Sequence, residues 1–129
     1  MQVVSTLKAP QAIGPYSQAV LTGNTLYVSG QIAINPESGE LVQKDITAET
    51  KQIMDNIEAI LEEVRYGFVN VVKTTIYVTD IKNFDAINAV YEGYFNQDFP
   101  ARSLVQVAAL PKGANVEIEV VAVRSAWRA

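Results

Sequence analysis

The chain has 129 residues, of which 49% are hydrophobic and 19% charged, a composition typical of one folded domain (residues 1–129) with a single core. It contains no cysteine and no histidine, which excludes disulfides, thiol nucleophiles and the side chain that most often acts as a base near neutral pH. The net charge of −4 and the dispersal of the ten basic residues argue against nucleic acid as a general partner, while a local basic patch formed by folding stays open.

The N-terminal segment MQVVSTLKAP has neither the basic region nor the apolar centre of a signal peptide. No apolar run approaches the ~18–20 residues that span a bilayer. We therefore expect a cytoplasmic protein that does not enter a membrane.

Residues 3–5 suit a short strand, and two further strand-like runs flank Gly23 and Asn24, which predicts a hairpin with a two-residue turn. The segment NPESGE that follows has the composition of a loop.

Two amphipathic segments predict helices. The first begins near Thr47, which suits an N-cap, and ends near Gly67. The second covers about residues 84–96 and is followed by Pro100, which cannot continue a helix. Apolar residues recur at helical spacing in both segments: Ile53, Ile57, Ile60 and Val64 in the first, and Phe84, Ile87, Tyr91 and Phe95 in the second.

Residues 69–78, 101–108 and 115–125 are rich in β-branched side chains and predict three more strands. The order β-β-α-β-α-β-β indicates an α+β fold: a two-layer mixed sheet with both helices on one face. In the last strand, ANVEIEVVAVR, Glu117 and Glu119 share a face with Val121 and Val123. A half-apolar face without a helix needs a cover, so the pattern predicts an oligomer.

The sequence closely resembles the Rid family of imine deaminases, also called the YjgF family, over essentially its whole length. The resemblance rests on APQAIGPYSQAV (9–20), YVSGQIAINP (27–36), VVKTTIYVTD (71–80), NAVYEGYF (88–95) and FPARSLVQVAALPKGANVEIE (99–119). It implies a chorismate-mutase-like fold and a homotrimer with three ligand clefts between subunits.

The activity that the resemblance implies is hydrolysis of reactive enamines and imines to 2-keto acids and ammonia. The substrates would be 2-aminoacrylate, 2-iminobutanoate and 2-iminopropanoate, which pyridoxal-phosphate dehydratases release. The small-molecule imine or 2-keto acid is thus the expected ligand. No cofactor and no metal are implied, and the acidic residues are scattered without the spacing of metal ligands.

Two residues are the expected catalytic pair. By resemblance, Arg102 binds the substrate carboxylate, which its planar guanidinium can grip with two hydrogen bonds. The resemblance also implies that Glu117 holds or activates the attacking water, and a partly buried glutamate with a raised pKa suits that task without a histidine. The alternatives are an inter-subunit salt bridge for Arg102 and a structural pair with Arg102 or Arg124 for Glu117. We expect Glu119 to be structural, and Glu117 to face a cleft with Arg102 on an adjacent strand.

The resemblance places six further residues at the ligand. Tyr16 would pack on or hydrogen-bond to it, or else be a core or interface tyrosine. Ser29 and Gly30 would offer a hydroxyl and a close backbone approach, unless Gly30 marks a β-bulge. Asn88 matches a position near the cleft but is also an ordinary helix asparagine. The backbone of Ser103 and Leu104 would bind the amine or the carboxylate.

Two other functions stay open at this stage: a ribonuclease or translation inhibitor, and a non-catalytic trimer that senses 2-keto acids or binds a protein. The absence of histidine and the acidic charge disfavour ribonuclease chemistry.

Tyr66 departs from the family's small residues without a functional explanation. Leu104 replaces a cysteine found in some members, and Trp127 in the terminal SAWRA is expected to pack on the surface.

Overall fold

One mixed sheet organises the described part of the chain, residues 1–125 of the computed structural model; Trp127 lies outside it. The strand order is β1-β2-β3-β6-β4-β5. The β4–β5 pair is parallel and every other pair is antiparallel. The bounds are β1 (Gln2–Val4), β2 (Ala19–Thr22), β3 (Thr25–Gln31), α1 (Ile46–Glu63), β4 (Val71–Val78), α2 (Phe84–Tyr91), β5 (Ala101–Gln106) and β6 (Val116–Val123).

The predicted hairpin is confirmed. Thr22 pairs with Thr25 across the turn, and Gly23 takes the positive φ of 57° that a tight turn between strands requires. The same turn explains Tyr66, which is buried and donates a hydrogen bond of 2.7 Å from its hydroxyl to the Asn24 carbonyl oxygen. The guanidinium of Arg124 lies 4.6 Å from the Tyr66 ring centroid. Tyr66 therefore ties the segment after α1 to the β2–β3 turn.

Helix ends differ from the prediction. The N-cap of α1 is Asp45 rather than Thr47, because the Asp45 carboxylate accepts a 2.7 Å hydrogen bond from the Ala48 backbone N–H. The helix ends at Glu63, with Val64 as its C-cap, before Gly67, since Arg65 takes a positive φ of 63°. Helix α2 ends at Tyr91 and only a 3-10 turn, Glu92–Tyr94, continues it, so the prediction of 84–96 was too long.

The helices cover one face of the sheet. In β6, alternate residues on this face are buried in the core that residues of α1 and α2 also form: Val116, Ile118, Val120 and Ala122. The opposite face carries Glu117, Glu119 and Val121, which are half-buried, and we call it the open face. Within residues 1–125, the helices lack the length and hydrophobicity of a membrane span.

Strand order contradicts one expectation about the site. Arg102 lies on β5 and Glu117 on β6, but β4 pairs with both strands and separates them. The two strands are consecutive in sequence and yet not adjacent in the sheet. The hydrophobic pattern could not reveal this, because an inserted parallel strand leaves each strand's own alternation unchanged.

A buried acid fastens α1 to the sheet. Glu49 has no exposed surface, and its carboxylate accepts hydrogen bonds from the backbone N–H of Asn115 (2.8 Å) and Val116 (3.2 Å) and from the Asn115 side-chain amide (2.9 Å). The contact joins the first turn of α1 to the start of β6, which carries Glu117 one residue later. A buried carboxylate is tolerated here because three donors replace its hydration.

We expect Glu49→Gln to lower the free energy of unfolding by about 1.5–3 kcal/mol, because the amide replaces one acceptor oxygen with a donor that faces other donors. Urea unfolding at one fixed protein concentration measures the change. The control is Glu63→Gln at the exposed end of α1, with an expected change below about 0.5 kcal/mol. Equal stability of both variants would contradict the role assigned to Glu49.

Candidate active site

Six of the eight site residues predicted from the sequence line two separate pockets. The first, of about 650 Å³, contains Tyr16, Ser29, Gly30 and Glu117, and we call it the glutamate cleft. The second, of about 330 Å³, contains Asn88 and Arg102, and we call it the arginine pocket.

A β-bulge shapes the floor of the glutamate cleft. Val28 pairs with Val120, and the next pair is Gln31 with Ile118, so Ser29 and Gly30 together stand opposite Glu119. The alternative reading of Gly30 as a bulge residue is therefore correct.

Gly30 also provides space for the Glu117 side chain. A Cβ on Gly30 would overlap Glu117 Oε2 and would lie 2.9 Å from Cδ and 3.2 Å from Cγ. Since the φ of Gly30 is not positive, space rather than backbone conformation requires a glycine here. The carboxylate of Glu117 thus lies directly against the β3 backbone.

This position changes the acidity of Glu117. Burial raises the pKa of its carboxyl group, and the neighbouring Glu119 carboxylate raises it further. In residues 1–125, neither glutamate forms a salt bridge, and no three acids cluster as a metal site. Arg124 donates instead to the Arg65 carbonyl oxygen (2.7 Å), so the alternative role of Glu117 as a structural partner of Arg124 is not seen in residues 1–125.

The loop before β2 carries Tyr16 to the rim of the cleft. Gly14 takes a φ of 128°, and the Tyr16 N–H donates to the Gly14 carbonyl oxygen at 2.9 Å, which turns the chain sharply at this point. The Tyr16 side chain is 54% exposed, so it is not the core tyrosine of the alternative reading.

Buried Gln18 anchors that loop. Its side-chain oxygen accepts from the Thr6 N–H at 2.7 Å, and its amide donates to the carbonyl oxygens of Thr6 (3.0 Å) and Pro10 (2.7 Å). The hydroxyl of Ser29 donates to the Ser17 carbonyl oxygen at 2.6 Å, so its proton is already used within the chain. Sequence reasoning missed Gln18, because a lone glutamine carries no pattern that marks it as buried.

In the arginine pocket, α2 holds Arg102 from one side. Its Nη1 donates a 2.6 Å hydrogen bond to Asn88 Oδ1, and its guanidinium lies 5.1 Å from the Tyr91 ring centroid and 5.8 Å from that of Phe84. Tyr91 is itself fixed by a 2.9 Å hydrogen bond from its hydroxyl to Thr74 Oγ1. Asn88 therefore contacts Arg102 directly.

Phe84 and Tyr91 had been assigned only to the apolar side of α2. Their spacing around Asn88, four residues before and three residues after, places all three on one helix face. That spacing was the available signal for a platform under an arginine. The sequence did not show that β5, which carries Arg102, lies beside this face of α2.

Ser103 and Leu104 follow Arg102 on β5, which is an edge strand of the sheet. Ser103 Oγ lies 3.0 Å from Lys73 Nζ, and Leu104 packs against the core. One hydrogen-bonding edge of the β5 backbone therefore has no partner strand among residues 1–125.

The two pockets open on opposite sides of the sheet. Arg102 pairs with Thr74, whose side chain is buried on the helix-covered face, whereas Glu117 pairs with Tyr77 and points to the open face. The expectation that Glu117 faces a cleft with Arg102 is therefore wrong for a single chain.

Comparison with known proteins assigns the chain to a group. The family model described as endoribonuclease L-PSP matches residues 6–124. The 2-iminobutanoate/2-iminopropanoate deaminase of Homo sapiens is 52% identical over 123 residues, which cover 95% of this chain and 90% of the human protein. A crystal structure of a protein of the conserved Rid family from Yersinia pestis is 51% identical with a TM-score of 0.93, covering 95% of this chain and 98% of that one. For the YjgF gene product of E. coli, the identity is 45% and the TM-score 0.93, covering 97% and 100%.

We expect Gly30→Ala to push the Glu117 carboxylate out of its position against β3 and into the water of the cleft. Its pKa should then fall toward the ordinary glutamate value, because burial is what raises it most. An NMR titration of the Glu117 carboxyl carbon measures the shift. Gly93→Ala is the control, since that glycine has open space and no positive φ. An unchanged titration of Glu117 in Gly30→Ala would refute the assigned role of Gly30.

Proposed function

Since this chain belongs to the endoribonuclease L-PSP family, the Rid (YjgF) family, we propose that it is an imine deaminase. It hydrolyses 2-iminobutanoate and 2-iminopropanoate, and the related enamine 2-aminoacrylate, to 2-keto acids and ammonia. The proposal rests on the 52% identical human deaminase over 95% of the chain. Its substrates would come from pyridoxal-phosphate dehydratases, and a cytoplasmic location stays a prediction.

The proposal that the protein assembles as a homotrimer rests on the separation of the two pockets. One chain offers a carboxylate-binding arginine on one side of the sheet and a buried glutamate on the other. A homotrimer in which the arginine pocket of one copy meets the glutamate cleft of the next would complete three identical sites.

The open face offers a surface for this assembly. Val20 and Val121 are only half-buried on it, and Tyr27 between them is 49% exposed. Burial of such a stripe against a second copy is favourable because it removes apolar surface from water.

Binding of the substrate would begin with its carboxylate. Asn88 and the rings of Tyr91 and Phe84 hold the Arg102 guanidinium in place, which lowers the entropy lost when it grips a planar anion. The unpaired backbone edge at Ser103 and Leu104 lies beside it and supplies hydrogen bonds to the carboxylate or the amine. Asn88 thus acts through Arg102.

Glu117 would then move protons during hydrolysis. The Glu117 carboxylate accepts a proton from water as the water oxygen bonds to C2 and the C=N electron pair moves to nitrogen. The protonated Glu117 returns that proton to nitrogen, which gives a carbinolamine with a hydroxyl and an amine on C2. Glu117 then takes the hydroxyl proton and passes it to the amine nitrogen, the C–N bond breaks with its electron pair going to nitrogen, and ammonia leaves as the oxygen becomes the keto group. A raised pKa brings the acid and base forms of Glu117 closer in energy near neutral pH, which favours both transfers.

The remaining predicted residues, Tyr16, Ser29 and Gly30, line the glutamate cleft around the ligand. Tyr16 on the rim packs against or hydrogen-bonds to the bound imine, and its hydroxyl already accepts a 3.4 Å contact from the Ile13 N–H. Ser29 keeps an acceptor oxygen free after donating to Ser17. Gly30 lets the ligand and Glu117 approach the β3 backbone together.

The family description raises the ribonuclease alternative again. The chain has no histidine for acid–base work on a ribose hydroxyl, and both glutamates make the cleft repel a phosphate backbone. A non-catalytic 2-keto acid sensor would use the same pockets, and it would bind the ligand without turning over an imine.

We expect Arg102→Ala and Glu117→Gln each to lower imine hydrolysis by about 100-fold or more. The assay generates the imine with a serine or threonine dehydratase and follows its loss spectroscopically.

Because the base form of Glu117 is lost below its raised pKa, the wild-type rate should fall on the acid side at a pH above the ordinary glutamate value. A wild-type rate equal to that in buffer would refute the enzyme, and cleavage of RNA lost in Glu117→Gln would favour the ribonuclease.

Mixing the two inactive variants tests whether each site needs two copies. After joint unfolding and refolding in equal amounts, about a quarter of the clefts should combine an intact arginine pocket with an intact glutamate cleft. We therefore expect about a quarter of the wild-type activity to return. Variants refolded separately and mixed afterwards in the cold are the control. If a properly assembled oligomer recovers no activity, Arg102 and Glu117 of different copies do not form a shared site.

A further inference from the structure

A lysine in a strained turn lines the glutamate cleft. Lys112 has φ 57° and ψ 22°, the left-handed conformation that residues with a Cβ seldom adopt. Glycine suits such a position without strain, and Gly113 beside it also takes a positive φ of 72°. A lysine at this point of the turn indicates a use for its side chain.

Contacts on both sides hold the turn in place. The Gln43 side-chain amide donates a 2.7 Å hydrogen bond to the Gly113 carbonyl oxygen across 70 residues of chain. The Ala114 N–H closes the turn on the Pro111 carbonyl oxygen at 3.1 Å, and Glu49 then binds the next residue, Asn115. The position of Lys112 on the cleft is therefore fixed by the fold.

The charges around Lys112 give it a function. Glu117 and Glu119 line the same cleft, and within residues 1–125 Lys112 is the cation among its lining residues. An anionic substrate that approaches two carboxylates is repelled unless a positive charge compensates. Within one chain Arg102 does not line this cleft, so in the proposed assembly Lys112 adds its charge to that of Arg102 from the next copy.

We propose that Lys112 is a specificity-determining residue that draws the carboxylate of 2-imino and 2-keto acids into the glutamate cleft. This inference rests on the proposed function, because it requires an anionic ligand at that cleft. Lys112 acts through charge at the rim, whereas Arg102 grips the carboxylate in the assembled site. It favours substrates with a free carboxylate over neutral imines of the same size.

The test compares wild type with Lys112→Ala, Lys112→Gly and Lys112→Arg. At low salt, the alanine and glycine variants should lose about three- to tenfold in kcat/KM, mainly through KM, and the arginine variant should retain wild-type values. In about 0.5 M salt the difference should shrink toward twofold, because screening weakens the attraction. The glycine variant removes the backbone strain as well, so its agreement with alanine assigns the effect to the charge.

Lys82→Ala is the matched control, because it removes an exposed lysine that does not line the cleft. Calorimetry with 2-oxobutanoate, and with its neutral amide 2-oxobutanamide, provides a readout independent of turnover. We expect Lys112→Ala to weaken binding of the acid several-fold and to leave the amide unchanged. If Lys112→Ala matches Lys82→Ala in both measurements, or weakens the amide equally, the inference is overturned. An inactive wild type that still binds the acid through Lys112 would refute the deaminase and keep the role of Lys112.

Discussion

The central position of β6 between β3 and β4 is the constraint on which the rest of the structure depends. Because side chains alternate along a strand, β6 sends Ile118 and Val120 into the core and Glu117 and Glu119 to the open face. The same position puts β4 between β6 and β5, and so separates Glu117 from Arg102. The buried Glu49 carboxylate secures the start of β6. Core and candidate site thus share one strand.

The environment of Glu117 follows from two backbone features of β3. The bulge places both Ser29 and Gly30 opposite Glu119, and the missing side chain of Gly30 leaves room for the Glu117 carboxylate. Burial there costs hydration, no salt bridge to the Glu117 carboxylate forms within residues 1–125, and its pKa rises. A structural acid would be expected to have donors around it, as Glu49 has. The contrast between the two glutamates supports a chemical use for Glu117.

Long-range hydrogen bonds position the functional side chains. Gln18 holds the loop that carries Tyr16, Gln43 holds the turn that carries Lys112, and Asn88 holds Arg102. Each of these three has a neutral amide side chain, which can donate and accept hydrogen bonds without adding a charge to either pocket. Neutral side chains therefore hold these elements in place, and the charged side chains that line the pockets remain available to bind a ligand.

The sequence by itself determined the element types, the hairpin turn, the alternation of β6 and the family, because these depend on local spacing and on motifs. Helix ends shifted by a few residues where a cap or a left-handed residue intervened, as at Asp45 and Arg65. Only the tertiary structure decided that Glu49 is buried, that Gly30 makes room for Glu117, and that Arg102 lies across the sheet from it. These facts depend on which distant strands become neighbours, and a one-dimensional pattern does not contain that information.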